Sequence, residues 1–422
     1  MQDVDGVGRA PMIGRRRIRP QLAALVFVTG IGPLATDTYL PAMPAMARAL
    51  GGSAALVQLT ITTYIIGLAL GQLLAGPLSD GAGRRPYLLG GTAGFAVTSA
   101  ACALAPSVGL LVAVRLLHGA LAGFGIACGR AVISDTARGV EAAQKYGTLA
   151  SITMLGPVIA PGLGAGILSR GDWRLVFWVL TGLGVAMVVA VLLGIPETLP
   201  PSERHGGGMA ATGARILELL RLRPFLVHVV LASLTTSGFF VYIGGSSFVL
   251  QQVYGISQTT YALVFTVNAL ALVSASVAFR LLVARVSIVR LRDAGVGLTA
   301  VAAVLLLAVA LAGRDRVGSI AVPWVLLSCV AAGIGLLNPP TMALAQEAGH
   351  AARGTASALV GGGSFLVGAL VTPLTGLVGN HSMLPMAGFM ALFLCLAVAW
   401  LVATRSWTAV EGPADPAADP TR

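Results

Sequence analysis

Charge is what this 422-residue chain has least of: Asp, Glu, Lys and Arg together make 10% of it, against about 25% in a soluble domain. That shortage excludes an ordinary water-soluble globule. Lysine is nearly missing, Lys145 being the only one; with abundant Ala and Gly, this usage points to a high-GC bacterial genome. Cysteine is scarce as well. Cys102, Cys128, Cys329 and Cys395 all fall in apolar runs without metal-ligand spacing and read as small apolar fillers. No metal site is expected. There is no G-x-x-x-x-G-K-[ST] phosphate loop, which excludes ATP drive within the chain. Paired histidines, an HExxH run and a nucleophile motif are also missing, so an intramembrane enzyme would have no catalytic cluster.

What is present in excess is apolar sequence, with 56% hydrophobic residues and a mean hydropathy of +0.87. Runs of about 20 apolar residues recur from end to end, each long enough to cross ~30 Å of hydrocarbon. Twelve are read, at 21–46, 56–78, 87–105, 107–134, 147–168, 173–195, 224–250, 259–283, 293–312, 321–346, 353–377 and 383–404. The short loops between them make neighbouring helices antiparallel. The expected fold class is therefore an all-α integral membrane protein of twelve transmembrane helices.

A net charge of +11 would suit nucleic acid if it formed one basic face, but it is spread over alternate loops. Arg15, Arg16, Arg17 and Arg19, then Arg84 and Arg85, then Arg215, Arg221 and Arg223, then Arg285, Arg290 and Arg292 all fall on one side of a twelve-span topology. By the positive-inside rule that side is the cytoplasm, which holds both termini. The expected partners are the lipid bilayer and a small-molecule substrate, not nucleic acid, and the chain is read as a monomer in the bacterial cytoplasmic membrane. The RRRIR cluster superficially matches a twin-arginine signal, but the following run is too long for a signal-peptide core and lacks a clear cleavage site. Asn380-His381-Ser382 matches a glycosylation acceptor, a match without weight in a bacterial chain.

The chain divides into a basic N-terminus (1–20), a first six-helix bundle (21–195), a linker (196–223), a second six-helix bundle (224–404) and a tail (405–422). The linker is polar and glycine-rich with charges at both ends. The tail is proline- and acid-rich and is expected to be disordered. The bundles echo each other, since the fifth span of each is the one dense in glycine and proline: GPVIAPGLGAG (156–166) and GGGSFLVGALVTPLTGLVG (361–379). Corresponding interrupted segments point to a repeat-built transporter.

Asp37 stands inside the first run, in GPLATDTYLPAMPAMA (32–47), with Pro41 and Pro44 close behind. An ionisable group there costs at least ~2.5–3.5 kcal/mol on insertion scales, so it is rarely kept without a partner or a function. Arg115 lies deep in the fourth run and cannot shed its charge. At 1.5 Å per residue it is ~12 Å from the outer end of its span, and Asp37 is ~24 Å from the inner end of its own. Their comparable depth allows an ion pair, either as a proton-coupling unit or as a permanent structural bridge. Snorkelling of Arg115 to the outer surface is the other option. Tyr39, Tyr242, Gln251, Gln252 and Asn268 are candidate cavity residues, with interhelical hydrogen bonding an equal or better reading for each.

Between the second and third runs stands GPLSDGAGRRPYLLGG (76–91). Gly76 and Gly83 permit tight turns and close approach, Asp80 can accept from free amides at the next helix start, and Arg84 and Arg85 can pin a cytoplasmic end. This stretch resembles the G-x-L-x-D-x-x-G-R-[RK] signature of the major facilitator superfamily, as does the six-plus-six arrangement. The family's usual Arg after the Asp is replaced by Gly81. The resemblance implies a cytoplasmic latch between the halves made by Asp80 and Arg84, with Asp135 as a third member. RLLHGALAGFGIACGR (115–130) resembles the family's R-x-x-Q-G-x-G motif, associated with proton coupling in efflux antiporters. His118 replaces the usual Gln, as either a polar packing residue or a proton carrier. Gly156, Pro157, Pro161, Gly162 and Gly166 resemble the motif that marks antiporters, where small residues let spans pack and switch.

TDTYLPAMPAMA (36–47), RAVISD (130–135), FVLQQVYGIS (248–257) and GTASALVGGGSFLVGALVTPLTG (354–376) narrow the resemblance to the bicyclomycin and chloramphenicol resistance branch of drug:H⁺ antiporters. That implies export driven by the proton gradient, with no cofactor. Asp37, a carboxylate in hydrocarbon-like surroundings with the Arg115 cation at comparable depth, is the expected proton-carrying group. Uptake of a sugar or other metabolite on the same fold is the second expectation.

Overall fold

The computed structural model describes residues 20–137, 139–204, 209–313, 319–349, 356, 359–379 and 381–408. Its elements are twelve helical segments in chain order: α1 Leu22–Ala49, α2 Ala54–Ala82, α3 Arg84–Ala103, α4 Val108–Thr136, α5 Gly139–Leu168, α6 Arg174–Gly194, α7 Arg223–Val253, α8 Gln258–Leu282, α9 Ile288–Leu311, α10 Ala321–Ala348, α11 Leu359–Val378 and α12 Leu384–Ala403. No strand occurs among the described residues. Ten of the segments are long and apolar enough to cross a membrane. The exceptions are α3, which carries Arg84, Arg85, Thr92, Thr98 and Ser99, and α5, in which the described apolar stretch is Leu155–Leu168. Large apolar side chains face outward all round, among them Leu73, Leu193, Leu281, Leu311 and Leu377. In water this surface would be costly at about 25 cal/mol per Å²; in hydrocarbon it costs nothing. The chain is a multi-pass membrane protein.

Glycine sets the spacing inside each half. A Cβ on Gly123 of α4 would overlap the carbonyl of Leu68 in α2, and one on Gly335 of α10 would overlap that of Leu272 in α8. Leu68 and Leu272 stand the same number of residues after Ser53 and Ser257, the serines whose side chains cap α2 and α8 by accepting from Leu56 N and Thr260 N. The same close contact thus recurs at equivalent positions of the two halves.

Proline breaks the segments that carry function. α1 is four short pieces, Leu22–Thr29, Ile31–Asp37, Leu40–Ala42 as a 3₁₀ turn, and Met43–Ala49. The interruption follows Asp37 because Pro41 and Pro44 have no N–H to donate. α11 starts with a π turn at Leu359–Gly363 and is broken again at Thr372–Pro373.

One expectation, that of a wholly disordered tail, is corrected. Within the linker, Met209–Arg221 is a helix whose Leu219 is buried against Phe225, Ala345, Ala356 and Val360 of the second half. Its apolar residues recur at helical spacing, so one face docks. The tail begins ordered, with Arg405–Thr408 helical and Trp407 edge-on to Trp400 at 5.9 Å, beneath the guanidinium of Arg223. Arg15, Arg16, Arg17, Arg19, Asn380 and the rest of the tail lie outside the described residues.

Substituting Gly123→Ala forces a methyl into a backbone carbonyl and is expected to destabilise by ~1–3 kcal/mol, seen as a lower melting temperature of the detergent-purified protein. Gly109→Ala, which meets open space within 4 Å, should melt as the parent does. Equal melting of the parent and both variants would show that the glycines do not set the packing.

Candidate functional site

The most buried charge in the chain is Arg115, at 0% exposure on α4. Its Nε donates to Thr60 O of α2 at 3.3 Å, its Nη2 to Ala35 O of α1 at 3.2 Å, and its Nη1 to His118 Nδ1 at 3.0 Å. The guanidinium lies 4.1 Å from the ring centroid of Tyr64 and 4.7 Å from that of Tyr39. Carbonyl dipoles and aromatic faces stand in for a counter-ion, a mode suited to a delocalised cation.

The expected Asp37–Arg115 ion pair is not formed, and neither is the snorkelling arrangement. No carboxylate of the described residues reaches Arg115, and each of its three guanidinium nitrogens has another acceptor. Asp37 is 8% exposed at the C-terminal end of the second piece of α1. Among the described residues its carboxylate has neither a hydrogen bond nor an ion pair. It lies within electrostatic reach of Tyr64 in the first half and of Tyr242 and Tyr261 in the second. That places it between the halves.

His118 is locked by its neighbours. Ser99 Oγ donates to Phe95 O at 2.8 Å and so must accept from His118 Nε2, 2.9 Å away. Nδ1 is then the bare nitrogen that accepts from Arg115. A second proton would point an N–H at the guanidinium. The ring is packed against Phe95 at 4.3 Å and Tyr64 at 5.4 Å between centroids. Of the two readings open in the sequence, this geometry supports the packing residue.

The loop that begins α3 builds a second polar cluster. Arg84 pairs with Asp80 at 2.6 Å, donates from Nε to Asp135 at 3.1 Å, and donates from Nη1 to Ser79 Oγ at 2.7 Å. Thr198 Oγ1 donates to the same Asp135 oxygen at 3.0 Å. Glu197, which no sequence motif singles out, accepts from the backbone N–H groups of Arg84 and Arg85 at 2.9 and 3.2 Å, and also from those of Thr198 and Leu199. A carboxylate there satisfies orphan donors at a helix start and matches its dipole. Gly83, at φ 104°, has that carboxylate where a Cβ would stand. Arg85 also donates to Leu192 O at 3.1 Å, and Gly76 lies within α2. All these partners of Asp80, Arg84 and Asp135 belong to the first half. Among the described residues they make no bridge to the second half.

The remaining candidates separate by what they touch. Gly156 and Gly164 bring α5 onto α1 on either side of Asp37, since Cβ atoms there would overlap Pro33 and the carbonyl of Thr38. Gly164 was not among the expected residues, whereas Gly162 and Gly166 have no neighbour within 4 Å that requires glycine. Pro157 and Pro161 lie inside α5. Tyr39 is fully buried and bonds Thr60 Oγ1 at 3.1 Å. Asn268 donates to Tyr242 Oη at 2.9 Å and accepts from Ser328 at 2.6 Å. Gln251 donates to Pro41 O at 3.0 Å across the halves. All four make interhelical hydrogen bonds here. Thr60 and Tyr64 complete the Arg115 site and were missed; the polar TITTY run (60–64) inside an apolar span was the available signal.

The family model described as "Major Facilitator Superfamily" matches residues 25–373. An uncharacterized MFS-type transporter, YdgK of Bacillus subtilis, is 34% identical over 374 residues, covering 87% of this chain and 92% of the relative. Multidrug resistance protein MdtL of Escherichia coli O157:H7 is 30% identical over 237 residues, covering 56% of this chain and 60% of the relative. Among solved structures, the nucleoside transporter NupG aligns with a TM-score of 0.72 at 13% identity, covering 92% of this chain and 98% of that one; this is a likeness of fold.

Removing the Glu197 carboxylate should unseat the start of α3. Glu197→Ala is expected to destabilise by ~1–2 kcal/mol, the scale of a lost helix cap, and Glu197→Gln by less, since one acceptor remains. Thermal melts of the purified variants check this, and a parent-like melt for Glu197→Ala would remove the residue from the cluster's support.

Proposed function

The chain belongs to the Major Facilitator Superfamily, and from that premise we propose that it is a proton-driven exporter of small, mostly apolar drugs or metabolites that works by alternating access. One observation carries the reading: Asp37 is a buried carboxylate with no partner among the described residues, at a helix break between the halves. A carboxylate so placed is poorly solvated, and nothing else in the structure explains its retention. A relative described as a multidrug resistance protein supports the direction and the substrate class.

In this mechanism Asp37 alternates between a protonated and an ionised form as the site opens to one side and then the other. Burial opposes the charge, while water and cations favour it, so the two cavity states differ in proton affinity. Substrate arriving beside Asp37 competes with the proton, and this competition is the exchange that antiport requires. Arg115 contributes a fixed positive field from its carbonyl cradle rather than a direct bond. The partners are protons, the small-molecule substrate and the bilayer; no cofactor takes part. The protein works as a monomer in the cytoplasmic membrane, with both termini and the Asp80–Arg84 loop on the cytoplasmic side.

Expression in a drug-hypersensitive host should raise resistance to some of a panel of phenicols, bicyclomycin, dyes and quaternary cations, and a protonophore should abolish the gain. Greater accumulation of labelled drug in expressing cells would mean uptake instead. In proteoliposomes under an imposed pH gradient, Asp37→Asn should lose substrate-coupled proton movement by about a hundredfold or more, the scale of one essential acid–base group. Retained coupling would remove Asp37 from the mechanism. His118→Gln, which can still accept from Arg115 and donate to Ser99, should keep the parent's pH profile; a shifted profile would reinstate His118 as a carrier. Asp80→Asn should insert normally but transport poorly, and normal efflux would reduce its loop to a topology signal.

A further inference from the structure

The lipid-facing surface is not evenly filled. Between α9 and α12 it holds a groove of about 480 Å³, lined by Gly297, Val301, Val304 and Leu305 on one side and by Cys395 and Ala399 on the other. A side chain on Gly297 would meet nothing within 4 Å. Val301 is 59% exposed and Leu305 49%, and Cys395 is exposed as well. The corresponding helices of the first half, α3 and α6, are closed on each other, since a Cβ on Gly184 would overlap the backbone of Ala96. The groove is therefore a property of this pair of helices and not of the repeat. Protein packing leaves few voids larger than a water, and this volume lies in the range that takes a ligand.

One end of the groove is basic. Arg290 stands two turns before Gly297 on the same face of α9, ~10 Å nearer the membrane surface. Arg405 follows α12 at the same end, opening the short helix Arg405–Thr408. Both arginines are exposed. The Arg290 side chain has neither a hydrogen bond nor an ion pair among the described residues. Asp293, the carboxylate beside it, is already held by Arg292 at 2.8 Å, so this end keeps a positive balance. Trp400 and Trp407 lie edge-on here, and indoles gather at headgroup level. In the first half, by contrast, Arg85 at the start of α3 donates to Leu192 O of α6 at 3.1 Å and helps to close its own pair of helices.

We propose that the α9–α12 groove is a binding site for an anionic phospholipid of the leaflet that holds the start of α9, with one acyl chain along Gly297 and Cys395 and the phosphate between Arg290 and Arg405. Charge complementarity selects this occupant. Apolar walls alone accept any chain, whereas arginines at headgroup depth favour a lipid with net negative charge over a zwitterion, by about fivefold each. A guanidinium also matches phosphate geometry through paired N–H donors. The groove is separate from Asp37 and Arg115, and the proposal is independent of proton coupling and of transport direction.

Native mass spectrometry of the detergent-purified full chain, titrated with phosphatidylglycerol or with phosphatidylethanolamine, provides the test. The parent should retain one phosphatidylglycerol in preference to phosphatidylethanolamine. Arg290→Gln combined with Arg405→Gln should weaken that first phosphatidylglycerol by about 25-fold, fivefold per arginine, and leave phosphatidylethanolamine unchanged. Gly297→Leu combined with Ala399→Leu fills the groove and should abolish retention of the first lipid. Gly182→Leu, which adds the same side chain to open space on α6, should not. The proposal is overturned if the parent retains the two lipids alike, or if either pair of substitutions, melting as the parent does, leaves phosphatidylglycerol retention unchanged. Dimers of the parent that the groove variant loses would assign the groove to a second copy of the chain and overturn it equally. Should the groove variant not fold, alkylation of native Cys395 by N-phenylmaleimide decides. Phosphatidylglycerol should slow it and phosphatidylethanolamine should not; equal rates with the two lipids overturn the proposal.

Discussion

Hydrocarbon offers no water to an unsatisfied backbone group, and this constraint organises the whole molecule. Most of the chain meets it with unbroken helices. Where proline interrupts a helix, the freed carbonyl needs another donor, and the protein supplies one from a neighbouring span. Leu40 and Ala369 receive hydroxyls from the opposite half. Ala35 and Thr60, the first beside the broken stretch of α1 and the second on α2, receive the guanidinium of Arg115. Glu197 performs the complementary service, accepting from amides exposed where α3 begins. Several polar side chains in this bundle are thus placed where the backbone is incomplete.

Asp37 stands out against that background. Arg115 and Arg84 are each held by several partners, and His118 has both ring nitrogens occupied. These groups hold helices together, and their protonation or position is fixed by what surrounds them. The Asp37 carboxylate has no such partner among the described residues, and the glycines of α5 bring a second backbone up to it without supplying a donor side chain. A group that must change its charge or its ligand during function has to be left incompletely satisfied, because full satisfaction would fix one state.

Much of this was legible in the sequence, and for identifiable reasons. Span length follows from bilayer thickness, the breaks in α1 and α11 from proline, and the start of α3 from Gly83 with the arginines after it. The comparable depths expected of Asp37 and Arg115 followed from helix rise alone. Their pairing did not, because depth says nothing about which face of each helix a side chain occupies or whether carbonyls have already taken its donors. Glu197 escaped notice because its role is to accept from an element more than a hundred residues earlier. Gln58, which donates to Gly244 O of the second half at 3.0 Å, was hidden for a similar reason: one polar residue in an apolar run looks alike whether it meets its own half or the other.

The hydrogen bonds between the halves match in energy what a cycling machine requires. Interhelical hydrogen bonds in membranes average ~0.6 kcal/mol in double-mutant cycles, so the few that cross between the halves amount to a few kcal/mol at most. That is the size of gap that lets two conformations coexist and lets a ligand choose between them. Inside each half the helices are held differently, by backbone contacts at Gly123 and Gly335 that admit no extra methyl group. A close-packed interface of that kind has no low-cost open state, since separating it forfeits dispersion along its length without any gain in hydration. Rigid halves built on glycine contacts and a seam built on exchangeable hydrogen bonds together make the seam the weakest joint in the bundle, and Asp37 stands beside it.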